Sequence, residues 1–105
     1  MKEITFYKKL NGKIPFYDWY NKLDNSIKLK IDKRLQRITY GNYGDYKIID
    51  NDLKELRFSI GKGYRIYFTE YQNTIIIITN AGDKQTQTFD IQKAKEFIND
   101  IKERY

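Results

Sequence analysis

Arginine and tyrosine recur at short spacing in two neighbouring segments of this chain, Glu55-Leu56-Arg57-Phe58 and Gly63-Tyr64-Arg65-Ile66-Tyr67-Phe68. Read as the strands of one β-hairpin, these segments put Arg57, Arg65 and Tyr67 on a single face. Guanidiniums and a phenol are costly to bury unpaired, and the planar guanidinium fork matches the oxygens of a phosphate. The expected chemistry is recognition of an anion and stabilisation of charge that grows on it. The bland alternative is that Arg57 and Arg65 merely pair with Glu55, Asp83 or Asp90, a surface arrangement worth little.

What the chain lacks narrows the chemistry further. It has no cysteine and no histidine, which excludes disulfides, thiolate nucleophiles and the usual general base. A zinc site would need carboxylates alone, so neither a metal nor a cofactor is expected. The net charge is +6, with +4 in residues 1–53 and +2 in residues 54–105. Such a spread excess favours nucleic acid or an acidic protein as partner. The longest aliphatic run, Ile75–Ile78, is far too short to cross a bilayer, and Met1-Lys2-Glu3-Ile4 opens no apolar signal region. A cytoplasmic protein with no membrane partner is expected. Its 105 residues suit one compact domain spanning residues 1–105.

The elements that must hold these residues follow from periodicity. Ile4 and Phe6 alternate with Thr5 and Tyr7 in a short strand over residues 3–9, ended by Asn11-Gly12. Pro15 suits a first helical position, and Phe16, Trp19, Tyr20 and Leu23 form a helical stripe. Asp24-Asn25-Ser26 offers caps for a second helix with stripe Ile27, Ile31, Leu35 and Ile38, with Arg34 beside it and Gly41 after it. Lys28, Lys30, Lys33 and Arg37 fall on its other faces. Residues 41–52 read as a polar loop. Strands are expected over Leu53–Ile60, Tyr64–Glu70 and Thr74–Asn80, and Asp90 is placed as the cap of a final helix with stripe Ile91, Ala94, Ile98 and Ile101. The order β-α-α-β-β-β-α predicts an α+β domain with a twisted, mainly antiparallel four-stranded sheet packed by helices.

Strand parity refines the face. A loop at Gly61–Gly63 sets Phe58 opposite Ile66 and Leu56 opposite Phe68, with Ser59 opposite Arg65 and Arg57 opposite Tyr67. A loop at Tyr71–Asn73 sets Arg65 opposite Thr79 and Tyr67 opposite Ile77. One face is then a helix-covered core. The other is uncovered and carries Arg57, Ser59, Arg65, Tyr67 and Thr79, with Lys84 and Gln87 near its edge. In this register Glu55 is expected to point away from it.

Six segments, Phe16-Tyr17-Asp18-Trp19, Arg34-Leu35-Gln36-Arg37, Gly41-Asn42-Tyr43-Gly44-Asp45-Tyr46-Lys47, Glu55-Leu56-Arg57, Gly63-Tyr64-Arg65-Ile66-Tyr67 and Gly82-Asp83-Lys84-Gln85-Thr86-Gln87, follow one another along the chain. As an ordered set they resemble the addiction-module killer proteins, HigB/RelE-like members of the RelE/ParE superfamily of bacterial type II toxin–antitoxin systems. The resemblance implies an α+β toxin fold and, for RelE-like members, metal-independent cleavage of mRNA, often on the ribosome. It also implies a cognate antitoxin, usually of helix-turn-helix type. Arg65 matches a RelE arginine that contacts the reacting phosphate, and Lys84 stands where RelE has another basic catalytic residue. Glu55 falls near a RelE lysine with the charge reversed, and Asp90 falls near the RelE catalytic tyrosine.

The catalytic candidates are therefore Arg65, Lys84, Arg57 and Tyr67, with Lys62, Lys54, Ser59, Thr79 and Gln87 as RNA-binding candidates. Arg57 and Arg65 suit the phosphate charge, and Lys84 can add charge or act as an acid. Tyr7, Tyr17, Tyr20 and Phe97 are aromatic candidates for antitoxin contact. Two alternatives stay open: ParE-like inhibition of DNA gyrase by protein contact, and a non-catalytic relative that binds nucleic acid by its basic surface.

Overall fold

One sheet of five strands runs through the computed structural model, which describes residues 1–104. In chain order the elements are β1 (Glu3–Phe6), α1 (Pro15–Tyr20), α2 (Asn25–Ile38), β2 (Tyr46–Asp50), β3 (Leu53–Arg57), β4 (Arg65–Tyr71), β5 (Ile75–Gly82) and α3 (Gln87–Arg104). The strand order is β1-β5-β4-β3-β2, with β1 parallel to β5 and the other pairs antiparallel. The fold is α+β as expected, but the fourfold strand count was one short. The missed strand is β2, inside the segment read as a loop. It is an edge strand with mostly exposed residues, so no apolar face forces alternation on its sequence.

Both faces of the sheet are covered, which corrects the expectation of a bare one. On one face α1 and α2 bring Phe16, Ile31 and Ile38 against Leu56, Ile66, Phe68, Ile76 and Ile78. On the other, Ala94 and Ile98 of α3 pack against Leu53 and Tyr67. A fully buried apolar side chain contributes roughly 1.5–3 kcal/mol, so both layers matter to stability. Two of the proposed antitoxin contacts are likewise packing: Tyr7 is buried and its ring stacks on Phe97 at 4.7 Å.

The β3–β4 register differs from that expected by two residues, which preserves parity at the arginines, and the β4–β5 register by two residues and, past a bulge, by three. The β3–β4 connection spans residues 58–64 and is closed by Phe58 N–H donating to Tyr64 C=O at 3.0 Å. Gly61 and Gly63 both sit at positive φ, +53° and +73°, where other residues are strained. Arg57 therefore faces Arg65, and Glu55 faces Tyr67. Glu55, two residues before Arg57, shares its face as the strand period requires, which corrects the expectation that it points away. The β4–β5 loop moves as well, with Gln72 and Asn73 at φ 51° and 57°. Phe68 pairs with Ile78 but Tyr67 with Asn80, so Thr79 is the extra residue of a β-bulge. Arg65 then meets Gly82 rather than Thr79.

Candidate functional site

Arg57 ends β3, Arg65 begins β4 and Gly82 ends β5, so one end of the sheet collects the chemistry. Like charges directly opposite on neighbouring strands repel. Glu55 answers that repulsion. Its side chain is 0% exposed, and Oε1 accepts from Arg57 Nε at 2.9 Å and lies 4.0 Å from Arg65 Nε. Oε2 accepts from Gln87 Nε2 at 2.8 Å. Burial pushes the Glu55 carboxyl up, but the Gln87 and Arg57 hydrogen bonds outweigh it and hold the pKa below the ordinary range.

The cations are not exhausted by this one carboxylate. Arg57 keeps 32% of its side chain exposed and Arg65 13%. Arg65 Nη1 donates to Gly63 C=O at 3.1 Å, while the buried Nε has no hydrogen-bond partner. Arg57, Lys62, Arg65 and Lys84 line one open cleft of about 760 Å³, with Ser59 and Gln85 on its wall and Asp45 as its carboxylate. Lys84 reaches it because Lys84 N–H bonds Lys62 C=O at 3.3 Å. Gly63 lies between Lys84 and Arg65, and its φ of +73° rather than want of space is what calls for glycine there.

Two further devices fix the walls. Arg34 of α2 is buried and donates to the carbonyls of Tyr43, Asp45 and Arg57, pinning α2 to the end of β3. Gly44 makes room for it, since a Cβ there would come within 3.0 Å of Arg34 Nε. On the other side, Asp83 Oδ1 accepts from Gln85 N–H at 2.9 Å and Thr86 N–H at 3.2 Å, forming the turn that starts α3. Asp90 is not the cap. It lies one turn inside α3, where Thr86 Oγ1 donates to it and burial raises its pKa. Its carboxyl lies against Gly82, where a Cβ would come within 1.8 Å of Oδ2.

The sequence pattern described as phage-derived protein Gp49-like (DUF891) matches residues 18–105. The chain belongs to this Gp49-like family. It is a toxin-like family of addiction modules. An uncharacterized protein of Haemophilus influenzae (strain ATCC 51907 / DSM 11121 / KW20 / Rd) is 40% identical over 89 residues, covering 84% of this chain and 90% of that protein.

In this Gp49-like chain the cleft gathers Arg57, Ser59, Lys62, Arg65 and Lys84 of the candidates. Gln87 lies beneath it, turned to Glu55 rather than outward. Three candidates are elsewhere or inaccessible. Tyr67 is buried under α3, and burial together with the Glu55 charge raises its pKa far above the ordinary phenol value. Its Oη faces the Glu55 carboxylate without meeting it in good hydrogen-bond geometry. Its hydroxyl is buried and does not line the cleft. Thr79 is buried in the bulge, donating to Tyr67 C=O and Asn80 Oδ1. Lys54 has the parity of Leu56 and lies 3.6 Å from Glu70 on the opposite face. Sequence reasoning missed Arg34 and Asp45. Their role is made by backbone carbonyls, which carry no residue signature. Among the described residues no cluster of three or more carboxylates could hold a metal ion, and no helix is long and apolar enough to cross a membrane.

Proposed function

We propose that this protein is the toxin of a bacterial type II toxin–antitoxin system, a metal-independent endoribonuclease that cleaves mRNA on the ribosome and is neutralised by an antitoxin. One observation carries the reading: Arg57, Lys62, Arg65 and Lys84 line one open cleft, with the buried Glu55 carboxylate behind the two arginines. The RNA 2′-oxygen attacks the neighbouring phosphorus and loses its proton, the bond to the 5′-oxygen breaks, and that oxygen gains a proton. Arg57 and Arg65 stabilise the charge on the phosphorane oxygens. Lys84 adds charge and protonates the leaving oxygen, and Lys62 and Ser59 hold the flanking backbone. Tyr67 and Glu55 are both shielded, so proton removal is left to Asp45 on the cleft wall, to water or to the ribosome.

The burial of Tyr67 and Glu55 away from the cleft favours a second reading, inhibition of DNA gyrase by protein contact, which needs no proton transfer. Expression of Arg65→Ala and Lys84→Gln variants tests the first. Lys84 is exposed and makes no side-chain bond among the described residues, so its change leaves folding intact. Growth arrest should be relieved in both, with unchanged circular dichroism, and 5′-end mapping should show cuts in mRNA only for the parent. Full toxicity in a folded Lys84→Gln and Arg65→Ala pair would sink the assignment. Intact mRNA with DNA breaks and an SOS response would select gyrase.

A further inference from the structure

The cleft does not stop at Arg57. A second groove of about 610 Å³ shares Asp45, Arg57, Phe58 and Ser59 with it and continues along α2. Lys30, Lys33 and Arg37 line this continuation. Their spacing places all three on one helical face, spanning about 10 Å of helix. Each is exposed, and none pairs with a carboxylate among the described residues. Three like charges along one ridge repel one another, which a helix tolerates at a cost of a few tenths of a kcal/mol per pair. The floor between ridge and strand is different in kind: half-buried Ile60 and the edge of the buried Phe58. Arg34 lies over the Phe58 ring at 4.8 Å and, through its three carbonyl bonds, holds the ridge at a fixed distance from Arg57.

We infer that this ridge carries the backbone of a single-stranded RNA leading away from the phosphate at Arg57 and Arg65, a conclusion that rests on reading the cleft as an RNA site. A cationic rim beside an apolar floor suits a strand with phosphates outward and bases down. The ridge length matches about three phosphates at stacked spacing. An acidic protein segment would meet the same rim, but the groove opens directly into the phosphate cleft and so continues one chain rather than starting another.

The test is binding of uncleavable 2′-O-methyl RNA, about twelve or about three nucleotides long, measured by fluorescence anisotropy across a salt series. The variant with Lys30→Gln, Lys33→Gln and Arg37→Gln should bind the long RNA about tenfold more weakly. Its slope of log affinity against log salt should fall by about two, the value for three single-strand contacts. The short RNA should be bound as by the parent. Lys84→Gln should weaken both lengths. Unchanged long-RNA affinity and slope in the triple variant, with Lys84→Gln still weakening both, overturns the ridge and leaves the cleft reading standing. A triple variant that weakens the long RNA while Lys84→Gln changes neither length overturns the continuity and the cleft reading together. Failure of the parent to bind either RNA, or tighter ridge-dependent binding of an oligoglutamate peptide, also overturns the RNA assignment, the latter in favour of an acidic partner.

Discussion

Glu55 and Glu70 are two carboxylates in matching company with opposite outcomes. Each has two cations and a tyrosine hydroxyl nearby, and their side chains are 0% and 9% exposed. Around Glu70, Lys2 donates at 2.8 Å, Tyr43 donates its hydroxyl, and Lys54 stands at 3.6 Å. Lys2 also donates to Tyr43 Oη, so the cluster closes on itself and ties the start of the chain to β4. Around Glu55 the account stays open. Arg65 Nε and Tyr67 Oη are buried without hydrogen bonds, and both arginines turn toward a cleft that already holds Lys62 and Lys84. A buried carboxylate thus marks a structural knot when its donors are satisfied. It marks a site when its donors retain capacity that faces a cavity.

The sharpest way to separate the two clusters is cleavage rate. Arg57→Ala or Arg65→Ala should lower RNA cleavage by about 10²–10³-fold, the usual loss when a donor to developing charge is removed. Lys2→Ala and Lys54→Ala should leave the rate unchanged in the same assay. A loss of similar size from Lys2→Ala would erase the distinction between knot and site.

Stability separates them in the next measure. Glu55→Ala leaves Arg57, Arg65 and Gln87 facing an empty buried position, and should cost about 3 kcal/mol, at the low end for a broken buried pair because Arg57 is partly solvated. Glu70→Ala should cost about 1–2 kcal/mol, since both of its lysines can turn to water. Urea midpoints of the two variants check the order. Equal midpoints would mean that Glu55 is no more constrained than Glu70.

Acid titration should then show what the clusters share. Burial raises the Glu70 carboxyl, but the Lys2 and Tyr43 hydrogen bonds bring it below the ordinary value of 4.5, as the donors to Glu55 do there. A carboxylate with a lowered folded pKa contributes stability that is fully present above its unfolded pKa. That contribution is lost as pH falls through the folded value. Asp90, raised by burial, acts in the opposite sense and is relieved by acid. The parent should lose stability below the ordinary carboxylate range. Glu70→Gln should be less stable at neutral pH and show a flatter acid limb, read as urea midpoint against pH. An acid limb of unchanged slope would show that Glu70 is not held in its charged form.

How much of this was legible in the sequence follows from what each residue bonds. Helices declared themselves by apolar stripes, and Ile31 and Ile38 are buried where the period placed them. The shared face of Arg57 and Arg65 followed from strand parity and survives a register shift, because the shift moved each pairing by two residues. What parity cannot say is whether a face is covered. Tyr67 looked surface-bound until Ala94 and Ile98 of α3 were placed over it. Thr79 was lost to a bulge, which no alternation rule announces, and β2 to its exposure at the edge. Arg34 was seen as a residue beside an apolar stripe, yet its three backbone bonds form only when the loop after α2 returns to it.

The smallest expected effect probes the comparison at its finest point, the two hydroxyls. Tyr43→Phe removes a donor from Glu70 and an acceptor from Lys2, and should cost about 1 kcal/mol. Tyr67→Phe removes a buried hydroxyl that faces Glu55 without good hydrogen-bond geometry. Loss of an unsatisfied polar atom carries no hydrogen-bond penalty, so stability should change by less than about 0.5 kcal/mol or rise slightly. Cleavage should persist at the parental rate, because this buried phenol does not line the cleft. A folded Tyr67→Phe protein without cleavage would reverse this assignment. It would mean that α3 moves aside to expose Tyr67 when RNA binds, and that the open account around Glu55 closes only in the complex.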